Sequence, residues 1–336
     1  MILGCVSGSR RRLARGCIGA GLALAAMLAA LPQADAQDYP SRPVKIIVPF
    51  PAGGTADVMP RLIGEWLSRK WGQPVVVENR TGAAGNIGAE AVAKAEPDGY
   101  TLLSAPPPPL VINQNLYPKL GFDPSEFVPI VIMGRVPNAL VVNPKLPLNS
   151  VADVIAYAKA NPGKLTSATQ GNGTTSHLTS ELFQMMADVK FQHVPYRGSA
   201  PALTDLVAGS VDLMFDNLGV SLPLVKGGQL KLLGVATPKR MASLPDVPTI
   251  AESGVPGYEY VAWFGLFAPA STSRALIDTI NELIRRAIAN PDTRAKLEVE
   301  GVEPQATTPV QFRDSVAAEM ARWKKIIEAA GIKAAF

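Results

Sequence analysis

The residues able to do chemistry in this chain are few. There are two histidines, His177 and His193, and two cysteines, Cys5 and Cys17, both near the N-terminus. Beyond Cys17, two histidines without a thiol are too few for a zinc cluster, and no metal is expected. No G-x-S-x-G turn presents a nucleophilic serine. What remains suits recognition better than bond breaking. Arg197 could grip a carboxylate through two parallel hydrogen bonds, or stand in an exposed loop with no such role. Asp216, at the end of an apolar run, could accept a hydroxyl, an amine or a water. His177 falls in the first turn of a helix and could touch a guest, whereas His193 reads as structural. Asp57 is first explained as a helix cap.

Four glycine-bearing turns surround these residues. The first is Pro49-Phe50-Pro51-Ala52-Gly53-Gly54-Thr55-Ala56-Asp57, between the apolar run Val44–Val48 and a helical pattern through Val58, Met59, Leu62, Ile63, Trp66 and Leu67. A glycine pair there lets the backbone approach a guest closely. The helix start adds unpaired N–H groups with partial positive charge, so the unit suits an anion. If Asp57 caps the helix, Pro60 falls in its first turn, where no hydrogen bond is lost. The second turn, Asn79 to Asn86, holds Gly82, Ala83, Ala84 and Gly85 after the strand Pro74–Glu78. It matches neither the G-x-G-x-x-G dinucleotide fingerprint nor a P-loop. The third runs Gln170-Gly171-Asn172-Gly173-Thr174-Thr175-Ser176 after the strand Leu165–Thr169, and the fourth is Pro195-Tyr196-Arg197-Gly198-Ser199. One such turn could be empty; four suggest a receptor for an anion. Pro106-Pro107-Pro108-Pro109 closes a further strand and removes four backbone donors.

The elements positioning these turns alternate strand and helix along the chain. That implies an α/β fold, mostly parallel sheets with helices on both faces, and ligands at the carboxyl ends of the strands. Ahead of it, Arg10, Arg11, Arg12 and Arg15 precede the 15-residue apolar run Cys17–Leu31, and Ala34-Asp35-Ala36 offers a cleavage signal. We expect residues 1–36 to be a signal peptide removed after Ala36; an uncleaved anchor is the alternative. General secretion and the twin-arginine route both fit Ser9–Leu13. The leader takes both cysteines and most of the net charge of +4. The remainder is nearly neutral, without a disulfide, and has no basic run for nucleic acid. Its roughly 300 residues suit two lobes.

The turn Pro49–Asp57, the stretch Gln73–Asn79 with Arg80 leading to Gly82-Ala83-Ala84-Gly85-Asn86-Ile87-Gly88, and three downstream segments carry a resemblance. Those segments are Val194–Ser199, Leu244–Thr249 and Trp263–Leu266. Together they resemble the Bug family, the substrate-binding proteins of tripartite tricarboxylate transporters, over about Tyr39 to Lys333. The resemblance implies a two-lobe periplasmic binding protein of the Venus-flytrap type, closing on an organic carboxylate without covalent chemistry or a cofactor. It implies one domain of residues 37–140 with 262–336 and a second of 141–261, with crossings near Ala139–Val142 and Val261–Phe264. By the same likeness, Phe50, Pro51, Ala52, Gly53, Gly54, Thr55 and Asp57, with Gly82, Ala83, Ala84, Gly85 and Asn86, hold one carboxylate through backbone groups and waters. Thr169, Gly171, Asn172, Gly173, Thr174, Thr175, His177, Arg197, Gly198, Ser199 and Asp216 would read the distal end. A monomer partnered by inner-membrane transporter subunits is implied. The departure is Pro106–Pro109, where relatives usually carry a Gly/Ser-type loop; this wall should be stiffer and more apolar. Two other classes stay open: a sensory adaptor for a membrane signalling system, and a secreted hydrolase or lyase using His177 or Asp216.

Overall fold

The computed structural model describes residues 39–330, so the leader, with Cys5, Cys17 and the cleavage point after Ala36, lies outside the described residues. From Arg42 onward the chain forms one compact unit. It begins with β1 (Val44–Val48), α1 (Thr55–Trp71), β2 (Val75–Asn79), α2 (Asn86–Ala93), β3 (Thr101–Ala105) and the long β4 (Val128–Val142). Next come α3 (Val151–Ala160), β5 (Thr166–Thr169), α4 (Thr175–Ala187), β6 (Gln192–Pro195), α5 (Ser199–Ala208), β7 (Leu213–Asn217), α6 (Leu218–Lys226) and β8 (Lys231–Val235). The chain closes with β9 (Val261–Ala268), α7 (Arg274–Ala289), α8 (Pro291–Val299), β10 (Glu303–Pro304) and α9 (Pro309–Ala330). Among the described residues no helix is long and apolar enough to cross a membrane.

The strands follow the path β2-β1-β3-β9-β4-β7-β5-β6. At one end β2, β1 and β3 are parallel; at the other, β6, β5 and β7 are parallel. Between them β9 and β4 run antiparallel to their neighbours. The sheet is therefore mixed, because the two strands that link its ends carry the chain out and back.

The apolar runs at Val128–Met133 and Ala139–Val142 belong to one 15-residue strand, β4. Gly134, Arg135, Pro137 and Asn138 interrupt its apolar pattern and mark its change of partners. Through Pro137, opposite Val261, β4 pairs with β9; from Asn138, opposite Asn217, it pairs with β7 and β8. Proline has no N–H for a ladder, so a point where the ladder is handed over tolerates it. The segment 218–226, which sequence reasoning left unassigned, is α6; Gly219 and Pro223 disguise its helical pattern. α6 meets the end of α8 backbone on backbone: a Cβ on Gly219 would overlap the Glu300 carbonyl, and one on Gly301 would lie 2.5 Å from the Gly219 Cα.

Apolar faces account for the packing. Ile277, Ile280, Ile284 and Ile288 recur at helical spacing on α7 and are all buried. On β9, Trp263 and Phe267 meet Phe312 of α9 with ring centroids 5.2 and 4.8 Å apart. Gly265 lies between them on the strand, and a Cβ there would collide with the Phe312 ring. Gly265→Ala should therefore cost about 1–3 kcal/mol by overpacking. Thermal unfolding of the chain from residue 37 measures this, and an unchanged midpoint would contradict the packing.

Candidate functional site

The turns leave the carboxyl ends of β1, β2, β3, β5, β6 and β7, and they converge. In the first, Gly53 has φ +86°, a conformation suited to glycine, whereas Gly54 is extended. α1 begins at Thr55, so Asp57 is its third residue and not its cap. The Asp57 carboxylate turns back instead: it accepts from the Gly53 N–H at 3.0 Å, from Asn79 Nδ2 at 2.8 Å and from Arg61 Nη2 at 2.7 Å. Asn79 Nδ2 also donates to the Phe50 carbonyl at 2.9 Å. Burial works against the charge on Asp57, but the hydrogen bonds from Arg61, Gly53 and Asn79 hold its carboxyl below the usual range. Pro60 is consequently the sixth helical residue, and the α1 ladder lacks its bond there.

The second turn is left-handed throughout, with φ of +130°, +47°, +51° and +95° at Gly82, Ala83, Ala84 and Gly85. Two alanines in this region cost about 1–2 kcal/mol each. Buried Asn113 supports them, donating to the Ala84 carbonyl at 3.1 Å and to Asn86 Oδ1 at 2.6 Å. In the third turn, Ser176 Oγ accepts from the Gln170 N–H at 3.0 Å and His177 Nδ1 accepts from the Gly173 N–H at 3.1 Å. Gln170 Nε2 donates to Asp216 Oδ1 at 2.7 Å, and Ser199 Oγ donates to the same oxygen at 3.2 Å. Asp216 thus ties the third turn to the fourth. Burial pushes its carboxyl up to about 6, against hydrogen bonds from Gln170, the Asn217 N–H and Ser199.

Two adjoining cavities lie among these turns. The inner one, about 100 Å³, is lined by Phe50, Pro51, Ala52, Gly54, Thr55 and Ala56, by Pro106, Pro108 and Phe264, and by Gln170, Thr175, Arg197–Pro201 and Asn217. The outer one, about 470 Å³, is lined by Pro49–Pro51, Thr81–Gly85, Tyr117, Gln170–Asn172, Thr174 and Tyr196–Gly198. Turns from the two ends of the sheet touch across them: a Cβ on Gly198 would lie 3.2 Å from Pro51, and one on Gly173 would lie 3.3 Å from Ala84. Arg197 lines both cavities and is the one charged side chain among the described residues that does so.

The helix starts divide sharply. α3, α7 and α8 are capped by the side chains of Ser150, Ser273 and Asn290. Thr308 Oγ1 likewise accepts from the Gln311 N–H at the start of α9. None of these four begins at either of the two cavities among the turns. α1, α4, α5 and α6 begin at Gly54, Thr174, Gly198 and Asn217 without a side-chain cap, and all four present their first turns or cap residues to the cavities. α2, starting at Gly85 beside the outer cavity, is uncapped too. Uncapped N–H groups concentrate where a guest could satisfy them.

Of the residues singled out in the sequence, Phe50, Pro51, Ala52, Gly54, Thr55, Gly82–Gly85, Gly171, Asn172, Thr174, Thr175, Arg197, Gly198 and Ser199 line a cavity. Gly53, Asp57, Asn86, Thr169, Gly173, His177 and Asp216 line neither; most are occupied in holding the turns from behind. Sequence reasoning missed Asn217 and Phe264 as lining. The first occupies the start position of a helix that was not seen, and the second sits in the segment read as a domain crossing.

His177, Glu181 and His193 bring two nitrogens and a carboxylate oxygen within 4.8 Å of one another, close enough for a metal ion. Each is already engaged. Nδ1 of His177 accepts from Gly173, and Glu181 Oε1 lies 3.5 Å from His177 Nε2 and 3.2 Å from His193 Nδ1. His193 Nε2 lies 3.0 Å from Ser180 Oγ. The trio is a hydrogen-bonded brace behind the third turn. Burial opposes the charge on Glu181, but hydrogen bonds from His177 and His193 lower its carboxyl to about 2.

Fold and site together define a solute-binding receptor. Residues 59–332 match the family described as the tripartite tricarboxylate transporter family receptor, TctC. The protein BugT of Bordetella pertussis is 39% identical over 300 residues, spanning 89% of this chain and 92% of its own. The solved structure of R. palustris Rpa4515 with adipate superposes with a TM-score of 0.85 at 42% identity, covering 88% of this chain and 99% of that one. MatC of Rhodopseudomonas palustris with bound malate gives 0.81 at 33% identity, covering 86% and 100%. This chain belongs to the tripartite tricarboxylate transporter receptor family, and its fold is that of the periplasmic binding proteins.

Because Glu181 is depressed from an ordinary 4.5 to about 2, its stabilising contribution is present above pH 4.5 and lost as pH falls toward 2. Glu181→Gln should cost about 1–3 kcal/mol near neutral pH. It should also flatten the dependence of stability on pH between 4.5 and 2. Urea unfolding from pH 7 down to pH 2 reads both effects, and an unaltered slope would remove Glu181 from the brace.

Proposed function

We propose that this protein is exported to the periplasm, cleaved after Ala36, and there captures a small organic carboxylate for delivery to inner-membrane transporter subunits, acting as a monomer. One observation carries it: four uncapped helix starts and the Arg197 guanidinium meet at one pair of cavities. Each terminus gives an anion about 0.3–1 kcal/mol, up to about 2 when partly buried. A charge-assisted hydrogen bond adds about 1.5–3 kcal/mol. Micromolar binding needs roughly 8 kcal/mol, which several such groups reach together and one does not. The adipate and malate held by the family members above favour the same ligand class.

The turns of Phe50–Thr55 and Gly82–Gly85 would hold the guest from one side, and Gly171–Thr175 with Arg197–Ser199 from the other. Residues 37–140 with 262–336 would then move as one domain and 141–261 as the second. The handover in β4 after Pro137 and the start of β9 at Val261 support crossings at those points. No catalytic role is assigned. His177 Nδ1 and Asp216 Oδ1, on groups a hydrolase or lyase would call on, accept from Gly173 and from Gln170 and Ser199.

Thermal-shift and calorimetric screening of the mature chain against mono-, di- and tricarboxylates tests the proposal. Stabilisation by none of them would defeat it. Arg197→Gln should weaken the best carboxylate by about 10–100-fold, the equivalent of one charge-assisted contact. Gly54→Val should abolish binding with little loss of stability. Gly54 has an ordinary backbone conformation, and a side chain there would enter the open space of the cavity.

A further inference from the structure

The inner cavity has two unlike walls. Toward the helix starts it offers N–H groups and Arg197. The rest of its lining includes an apolar wall of Phe50, Pro106, Pro108 and Phe264, of which Pro106, Pro108 and Phe264 are buried. Prolines supply no N–H, and the next two donors in the chain are consumed locally: the N–H groups of Leu110 and Val111 both bond the Pro107 carbonyl, at 3.0 and 2.9 Å. From residue 106 to 111 the backbone has no N–H for a guest. Two polar side chains of the cavity are committed as well, since Gln170 Nε2 and Ser199 Oγ both donate to Asp216. The cavity's other uncharged polar side chains, Thr55, Thr175 and Asn217, stand at the helix starts, so an anionic head is satisfied there, while the rest of the guest lies against pyrrolidine and phenyl rings.

Given the carboxylate-receptor reading, on which this rests, we infer that the ligand is a carboxylic acid with an unsubstituted hydrocarbon body, and that the proline wall excludes hydroxy and amino acids. A hydroxyl or ammonium carried into this wall gives up its water and gains no partner. A hydrophobic pocket rejects a molecule that merely adds a hydroxyl by up to about 100-fold. The inner volume of about 100 Å³, below the roughly 150 Å³ of a cavity that accepts benzene, favours a slim aliphatic body over a ring.

Matched pairs test this on the mature wild-type protein by isothermal titration calorimetry: butyrate against 3-hydroxybutyrate, succinate against malate, and glutarate against glutamate. The unsubstituted member of each bound pair should bind 10–100-fold more tightly. A preference below tenfold, or a reversed one, overturns the inference while leaving a carboxylate receptor intact; binding of no acid in the screen overturns both. The variant Pro106→Ser/Pro108→Ser, checked for folding by its thermal midpoint, should narrow the preference severalfold, because serine supplies the N–H and hydroxyl that proline lacks. An unchanged preference in the folded variant also overturns the role given to this wall.

Discussion

A helix that starts without a cap leaves backbone donors that must find a partner or stay in water. This constraint organises the molecule. Side chains close the starts of α3, α7, α8 and α9, while the five starts around the cavities are left open. The glycines at Gly54, Gly85 and Gly198 do two things there: they bring the backbone near the cavity and supply no side chain that could cap the helix. Unsatisfied donors in an enclosed polar space favour an anion, and the sheet path brings them together from both of its ends.

Behind the lining, a second set of residues fixes its geometry. Asp57 and Asn79 hold the first turn, Asn113 the second, and His177 with Glu181 and His193 the third, while Asp216 joins the third to the fourth. These are buried or partly buried polar groups, and each is costly unless paired. The pairing makes the lining rigid before a guest arrives, which lowers the ordering cost of binding.

Much of this was legible in the sequence, because glycine turns between apolar runs and helical periods are local signals. The positions of Gly53, Gly82, Gly171 and Gly198 read correctly as places where the backbone turns unusually, and all four have positive φ. The proline run read correctly as a wall without donors. What did not read were the long-range pairings. Asp57 looks like a cap from its neighbours alone; its true partners include Asn79, 22 residues away. Ala83 and Ala84 carry no sequence mark of a left-handed conformation, since Asn113 holds it from 29 residues beyond Ala84. α6 was hidden by Gly219 and Pro223, and Asn217 was hidden with it.

Gly219 makes sense from another direction. It belongs to a helix that follows the β7 end of the sheet, and it rests on Glu300 and Gly301, at the end of a helix associated with the β9 end. Side chains that interlock act like gear teeth and resist turning. At Gly219 and Gly301 there are none, and backbone meets backbone. The same bareness admits no substituent without prising the two backbones apart. The junction is thus bare backbone on bare backbone, and it lies on the same polypeptide run as Asn217, which lines the inner cavity.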